Sequence, residues 1–253
     1  MRIPRLHVSS SLTPGEALTL NEERSHYLAS VLRLKPGQPL RLFNGQDGEF
    51  EATVETVARK AVVVRAGPGH GDRGISPLKT ELAVAISRGE RLDWVIQKAT
   101  ELGVDRIRLL WSERVEVRLK GERLQRKHQH WQRIAISACE QSGRTRLPEL
   151  PAPEPLRDYL QQLPADPASL RLLLHPPPPG QAPCSPLQGS PTPRSARLLV
   201  GPEGGWSEAE VQQACAAGFV PWSLGPRILR TETAPVAALA ILQYCLGDAA
   251  PPG

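Results

Sequence analysis

The sequence predicts an α/β protein with a mostly parallel sheet covered by helices on both faces, preceded by a small β-rich module. Three observations point there. Short β-branched runs with turn signals fill the first third of the 253 residues. A glycine-rich stretch, Gly67 to Pro77, marks a change of pattern. Beyond it, apolar strand-type runs alternate with segments of helical period, which is the signature of parallel strands joined by covering helices.

In order along the chain, Arg2 to Val8, Pro39 to Phe43, Glu49 to Val57 and Ala61 to Arg65 read as strands, with Asn44-Gly45 and Asp47-Gly48 as turns. A helix over Glu22 to Arg33 carries Tyr27, Leu28, Val31 and Leu32 on one face and ends at Lys35-Pro36-Gly37. These elements make up a first domain over residues 1–72. The second domain spans 76–249. Thr80 to Ser87 reads as a buried strand, and Leu92 to Leu102 as a helix stopped by Gly103. Arg106 to Trp111 is a strand, and Glu122 to Ser142 a helix closed by Gly143. Leu170 to Leu174 and Arg197 to Val200 are strands. Between them, His175 to Ser195 contains eight prolines in 21 residues and reads as a poorly ordered insert, 176–195. Ser207-Glu208-Ala209-Glu210 is a capping box that opens a helix ending at Gly218. Phe219 to Leu224 is a strand. Pro235 to Leu246 is so apolar that it must be buried against the sheet or a partner subunit.

Composition narrows the function. The net charge is +5 and the pI about 9.3. The charge is concentrated: Arg114 to Arg146 holds nine Lys/Arg against three acids, whereas Arg197 onward holds three Arg against five. Such a stretch suits a polyanion, although a solvated helix face also produces one. The four cysteines show no zinc-ligand spacing, and Cys139, Cys215 and Cys245 read as core residues. The N-terminus lacks the apolar stretch of a signal peptide, and no apolar run is long enough for a bilayer, so a cytoplasmic location without membrane attachment is expected.

Two loops carry unusual chemistry. Val200 to Glu210 runs VGPEGGWSEAE from strand to tight loop to capped helix. It lacks the lysine of a phosphate loop, and Glu203 and Pro202 disfavour a pyrophosphate. A neutral or cationic ligand such as a sulfonium fits better, though a plain βα turn also fits this segment read alone. Leu224 to Pro235 runs LGPRILRTETAP. Thr231 or Thr233 can cap the following helix, and Glu232 suits its positive end. Arg230 sits badly there and is better explained by an anion or an electron-rich base.

Together, GPEGG…SEAE and LGPRILRTETA strongly resemble the RsmE family of 16S ribosomal RNA (uracil-N3)-methyltransferases, within the SPOUT superfamily. Ile96 to Val104 (IQKATELGV), Ser112-Glu113-Arg114, Ala138 to Arg144 (ACEQSGR), Arg2 to Arg5, and His26 with Val31-Leu32-Arg33 extend the resemblance over nearly the whole chain. Trp206 stands where the family has a smaller aromatic. The resemblance implies a trefoil-knotted second domain, threaded from about Ala196 onward, a PUA-like β-barrel as the first, and a homodimer. It implies S-adenosylmethionine as cofactor, contacted by Leu174, Gly201, Gly204, Gly205, Leu224, Gly225, Ile228, Leu229 and Thr231. The implied partner is 16S rRNA or the small ribosomal subunit. Arg230 would stabilise a uridinate, and Glu203 or Glu232 would take the N3 proton. Arg2, Arg5, Arg33, Arg114 and Arg144 would hold RNA phosphates. Alternatives are a non-catalytic RNA-binding protein of the same fold and a related methyltransferase acting on tRNA.

Overall fold

The structure, a computed structural model, describes residues 3–58, 61–117, 119–166, 168–176 and 193–249. Arg2 and nearly all of the proline-rich insert (177–192) lie outside the described residues. The chain divides into two compact units, Met1–Ile75 with Cys139–Leu147, and Ser76–Ala138 with Pro148–Gly253.

The first unit is a five-stranded sheet in the order β1-β3-β4-β5-β2, formed by Arg5–His7 (β1), Ala17–Thr19 (β2), Pro39–Phe43 (β3), Glu49–Val57 (β4) and Val62–His70 (β5). Only β1–β3 is parallel. Inward residues alternate with outward ones, so Leu40, Leu42, Val54, Val62 and Val64 pack with Leu6 and Leu28 in one core. β5 continues to His70, four residues into the stretch read as a linker, because its ladder with β4 extends to Glu49↔His70. The predicted helix is shorter than expected. Helix α1 covers Glu22–His26, and a π-helical turn, Tyr27–Val31, follows and leaves Arg33 at a φ of 55°. At the centre lies Glu49, fully buried, with its carboxylate held by Arg5 (2.6 Å), Arg41 (2.7 Å) and Arg73 (3.3 Å). Burial alone would raise its pKa, but the Arg5 and Arg41 guanidinium groups outweigh burial and hold it below the usual range. Arg5 also donates to the carbonyls of Cys139, Glu140 and Arg144.

The second unit is a six-stranded sheet, all pairs parallel, in the order β11-β9-β10-β6-β7-β8. The strands are Lys79–Ala85 (β6), Arg106–Trp111 (β7), Glu154–Pro155 (β8), Ser169–Leu174 (β9), Ser195–Val200 (β10) and Val220–Trp222 (β11). The helices are Arg91–Glu101 (α2), Gly121–Ser142 (α3), Leu156–Gln161 (α4), Glu208–Ala216 (α5) and Thr233–Leu246 (α6). Successive strand residues face opposite cores. Leu82, Val84, Leu198 and Val200 pack against α2, α3 and α6, while Ala83, Ala85, Leu173 and Leu199 pack against α4 and α5. Near-continuous apolar strands follow from burial on both faces.

Two details fasten the helices that border the site. Asp93, in the first turn of α2, accepts hydrogen bonds from Lys127 Nζ (2.9 Å), His130 Nε2 (2.7 Å) and Trp131 Nε1 (3.0 Å) of α3. Gln243 of α6 donates to the Leu102 carbonyl at the end of α2 and accepts from Ser76 Oγ. Cys215 and Cys245 are exposed rather than core, since their helices turn those positions outward; Cys139 is buried.

Candidate functional site

Strands β9, β10 and β11 end level with one another, because Leu174 pairs with Val200 and with Trp222. Their carboxyl ends are where ligands bind in parallel α/β sheets. The loops leaving them wall a cavity of about 430 Å³, within the usual range for small-molecule sites.

Of the nine residues assigned to a cofactor, Leu174, Gly201, Gly205, Leu224, Gly225, Ile228, Leu229 and Thr231 line this one cavity. Gly204 lines an adjoining one. The glycines have local reasons. Gly205 and Gly225 take φ values of 68° and 101°, which favour glycine. A Cβ on Gly201 would stand 3.1 Å from the indole of Trp206. Trp206 is buried at 6% exposure, lines the cavity, and its Nε1 has no partner among the described residues. Ser207 and Glu210 form the expected capping box at the start of α5. Glu210 also accepts the backbone N–H of Glu113 (2.8 Å), tying this loop to the one carrying Arg114. Arg114 in turn donates to the Gly204 carbonyl (2.9 Å).

The three residues assigned to catalysis lie differently. Glu203 lines the cavity, but its carboxylate accepts from the Arg88 backbone N–H (3.2 Å) and from Arg91 Nη1 (2.9 Å). Glu232 is the N-cap position of α6 and makes no side-chain cap bond, so neither threonine takes the capping position. Its carboxylate lies 3.9 Å from Arg91 and 3.9 Å from Arg230. The Arg230 side chain is 82% exposed and is not part of the cavity wall.

Among the phosphate-binding assignments, Arg33 and Arg114 are exposed. Two require correction. The Arg5 side chain is 9% exposed and spends its donors on Glu49 and three carbonyls, and Arg144 is 4% exposed; buried guanidinium groups are not presented to an RNA backbone.

Sequence reasoning missed His175, Ser223, Arg88 and Arg91, whereas Arg227, which lines the cavity, stands in the polar loop singled out from the sequence. His175 lines the cavity, and burial lowers its pKa below 6.5, which keeps the imidazole neutral at pH 7. It opens the proline-rich segment, where only its place directly after a strand end was a signal. Arg88 lies in the bend before α2 and Arg91 opens that helix, which was read only for its apolar face. Among the described residues no group of His, Cys, Asp and Glu could hold a metal ion.

A family model described as an RNA methyltransferase domain matches residues 75–243, and one described as an RNA methyltransferase PUA domain matches residues 20–66. The fold and the cavity thus stand in the class of RNA methyltransferases that carry a PUA domain. Relatives named ribosomal RNA small subunit methyltransferase E include one from Buchnera aphidicola subsp. Schizaphis graminum, 32% identical over 98% of both chains. Another, from Synechocystis sp., is 35% identical over 96% of this chain and 78% of its own. Two similar solved structures are a methyltransferase of Legionella pneumophila with bound SAM and a ribosomal RNA small subunit methyltransferase E of Neisseria gonorrhoeae bound to S-adenosyl methionine. They are 40% and 34% identical, each covering 98% of this chain and 100% of its own, with TM-scores of 0.88. The chain belongs to the ribosomal RNA small subunit methyltransferase E family.

Proposed function

We propose that this chain methylates N3 of a uridine in 16S ribosomal RNA, with S-adenosylmethionine as methyl donor. The carrying observation is the convergence on one cavity at the strand ends of eight residues that the resemblance assigns from three loops. The cavity suits the donor: its walls are largely apolar, it has no phosphate-binding lysine, and Trp206 offers a buried N–H without an acceptor. The bound donor would supply an electrophilic methyl group for in-line displacement.

The chain's own residues must ready the uracil. N3 keeps its proton at neutral pH, so its loss has to be stabilised. Arg230 is exposed and free to meet O4 or O2 of an incoming base, and a cation there favours the anion by about 1–3 pKa units, or roughly 1.4–4 kcal/mol. Solvent around so exposed a group argues for the lower end until RNA covers it. Glu203 is occupied by two donors and serves better as a tie between loops. Glu232, held by neither arginine at hydrogen-bond distance, is the better proton acceptor. Holding the reactants in line supplies the larger share of the rate.

In this reading residues 1–72 are the RNA-binding module and 76–249 the catalytic domain, its chain threaded from about residue 196 as a trefoil knot. Arg33 and Arg114 contact phosphate. The exposed Ile241 (38%) and Tyr244 (60%) of α6 support a homodimer, because an apolar helix face of this kind favours burial. No helix among the described residues is long and apolar enough to cross a membrane, and the site of action is the cytoplasm.

Arg230→Ala should lower turnover at saturating donor at least tenfold while donor affinity by calorimetry stays within twofold. Donor affinity that collapses instead would move Arg230 into the cofactor site. Mass spectrometry of 16S rRNA from cells without this gene should show the loss of one N3-methyluridine; an unchanged RNA refutes the function.

A further inference from the structure

Beside the cofactor cavity lies a second one, of about 480 Å³, which shares Arg114 and Glu203 with it. Its walls carry three guanidinium groups, Arg88, Arg91 and Arg114, and three carboxylates, Glu90, Glu116 and Glu203. Arg88 pairs with Glu116 at 2.8 Å, and Arg91 with Glu203 at 2.9 Å. The two pairs differ. Arg91 and Glu203 are partly covered, and Arg91 also faces Glu232, so this pair braces the two cofactor loops. Arg88 and Glu116 are 66% and 65% exposed and brace nothing else by their side chains among the described residues.

Exposed ion pairs contribute little, so exchanging one carboxylate partner for another costs little. An RNA phosphodiester competes well for arginine, since its oxygens match the guanidinium fork. A nucleotide whose base reaches the donor must place its own backbone next to the cofactor cavity, and this second cavity adjoins it. We propose that the second cavity receives a phosphate next to the target nucleotide, and that Glu116 is a placeholder that holds Arg88 until the phosphate displaces it. Glu116 thereby discriminates as well: a ligand without the phosphate leaves the pair closed. This inference rests on the proposed methylation of 16S rRNA.

The test exploits opposite signs. Binding of an unmodified 16S rRNA transcript, and of small ribosomal subunits, is measured by filter retention from about 50 to about 200 mM salt. Arg88→Ala should weaken binding and reduce the salt slope by about one. Glu116→Gln should tighten binding, by about threefold, because it releases Arg88. A pair that only shapes the loop predicts the same direction for both variants, and that result overturns the proposal, as does no change in either. Donor affinity by calorimetry should match the wild type in both, which shows that each variant is folded with an intact cofactor site. A wild-type chain that binds neither RNA nor subunits in a salt-dependent way refutes the methylation reading itself, whereas normal wild-type binding with same-sign variants refutes only the placeholder.

Discussion

Gly201→Ala probes the cofactor wall at its tightest point. Gly201 has no left-handed φ, so the substitution strains no backbone and its effect comes from one added methyl group. That methyl would stand 3.1 Å from Cε2 and Nε1 of Trp206 and 3.3 Å from Cδ1. The indole cannot swing away freely, because it is 6% exposed and packed with Leu173, Leu199 and Phe219. Overpacking of this kind costs about 1–3 kcal/mol. Replacing glycine with alanine also restricts the unfolded chain, which offsets about 0.4–1 kcal/mol. The net expectation is a loss of roughly 0.5–2 kcal/mol in urea unfolding. Donor affinity should fall at least tenfold, because the displaced ring moves one wall of the site. Trp206→Phe removes the five-membered ring edge that meets the methyl, so the double variant should recover part of both losses, with a coupling of at least about 0.5 kcal/mol. Strict additivity together with unchanged donor affinity would refute this account of the wall.

Trp206→Phe alone tests the unpartnered indole N–H. Trimming a buried aromatic normally destabilises, but removing a buried donor without an acceptor offsets about 1–3 kcal/mol, so unfolding free energy should stay within about 1 kcal/mol of wild type. A loss above about 3 kcal/mol would mean that the N–H is satisfied in solution. Asp93→Asn tests the link between α2 and α3. Burial alone would raise the Asp93 carboxyl, but the Lys127 and His130 hydrogen bonds outweigh it and hold its pKa below 3.8. Its stabilisation is therefore fully present above about 3.8 and lost as pH falls through the depressed value. The variant should show a flatter acid limb in unfolding followed against pH; an unchanged limb would assign the acid sensitivity elsewhere, with Glu49 the next candidate.

Periodicity made most of the second unit legible. Strands of three or more residues between apolar helices appear at the expected positions, and glycines at 103, 143 and 218 stop their helices with φ values of 87°, 91° and 86°. The short elements did not declare themselves. β8 is two residues containing proline, and β2 is three residues with only Leu18 half-buried, so neither carries an alternating pattern. The π-helical turn keeps an apolar face like that of an α-helix, and only its shifted hydrogen bonds distinguish it. The cavity was readable where glycines and dense polar residues cluster in one loop. It was not where the contribution is a single side chain from another strand end, as with His175, or an arginine at a helix start. Arg5 misled because charge in a sequence says nothing of whether a carboxylate or carbonyl has already claimed it, and Arg144 because it says nothing of burial.

Arg5 has a wider consequence. Its guanidinium finds acceptors in Cys139, Glu140 and Arg144, and the His7 N–H finds one in the Glu140 side chain, all supplied by chain more than 130 residues downstream. A polypeptide stopped at residue 72 would keep the strands of the first sheet yet lose both these acceptors and the segment that packs with them. The amino-terminal module is thus not a transferable cassette, and its folding must wait for the ribosome to deliver the end of α3.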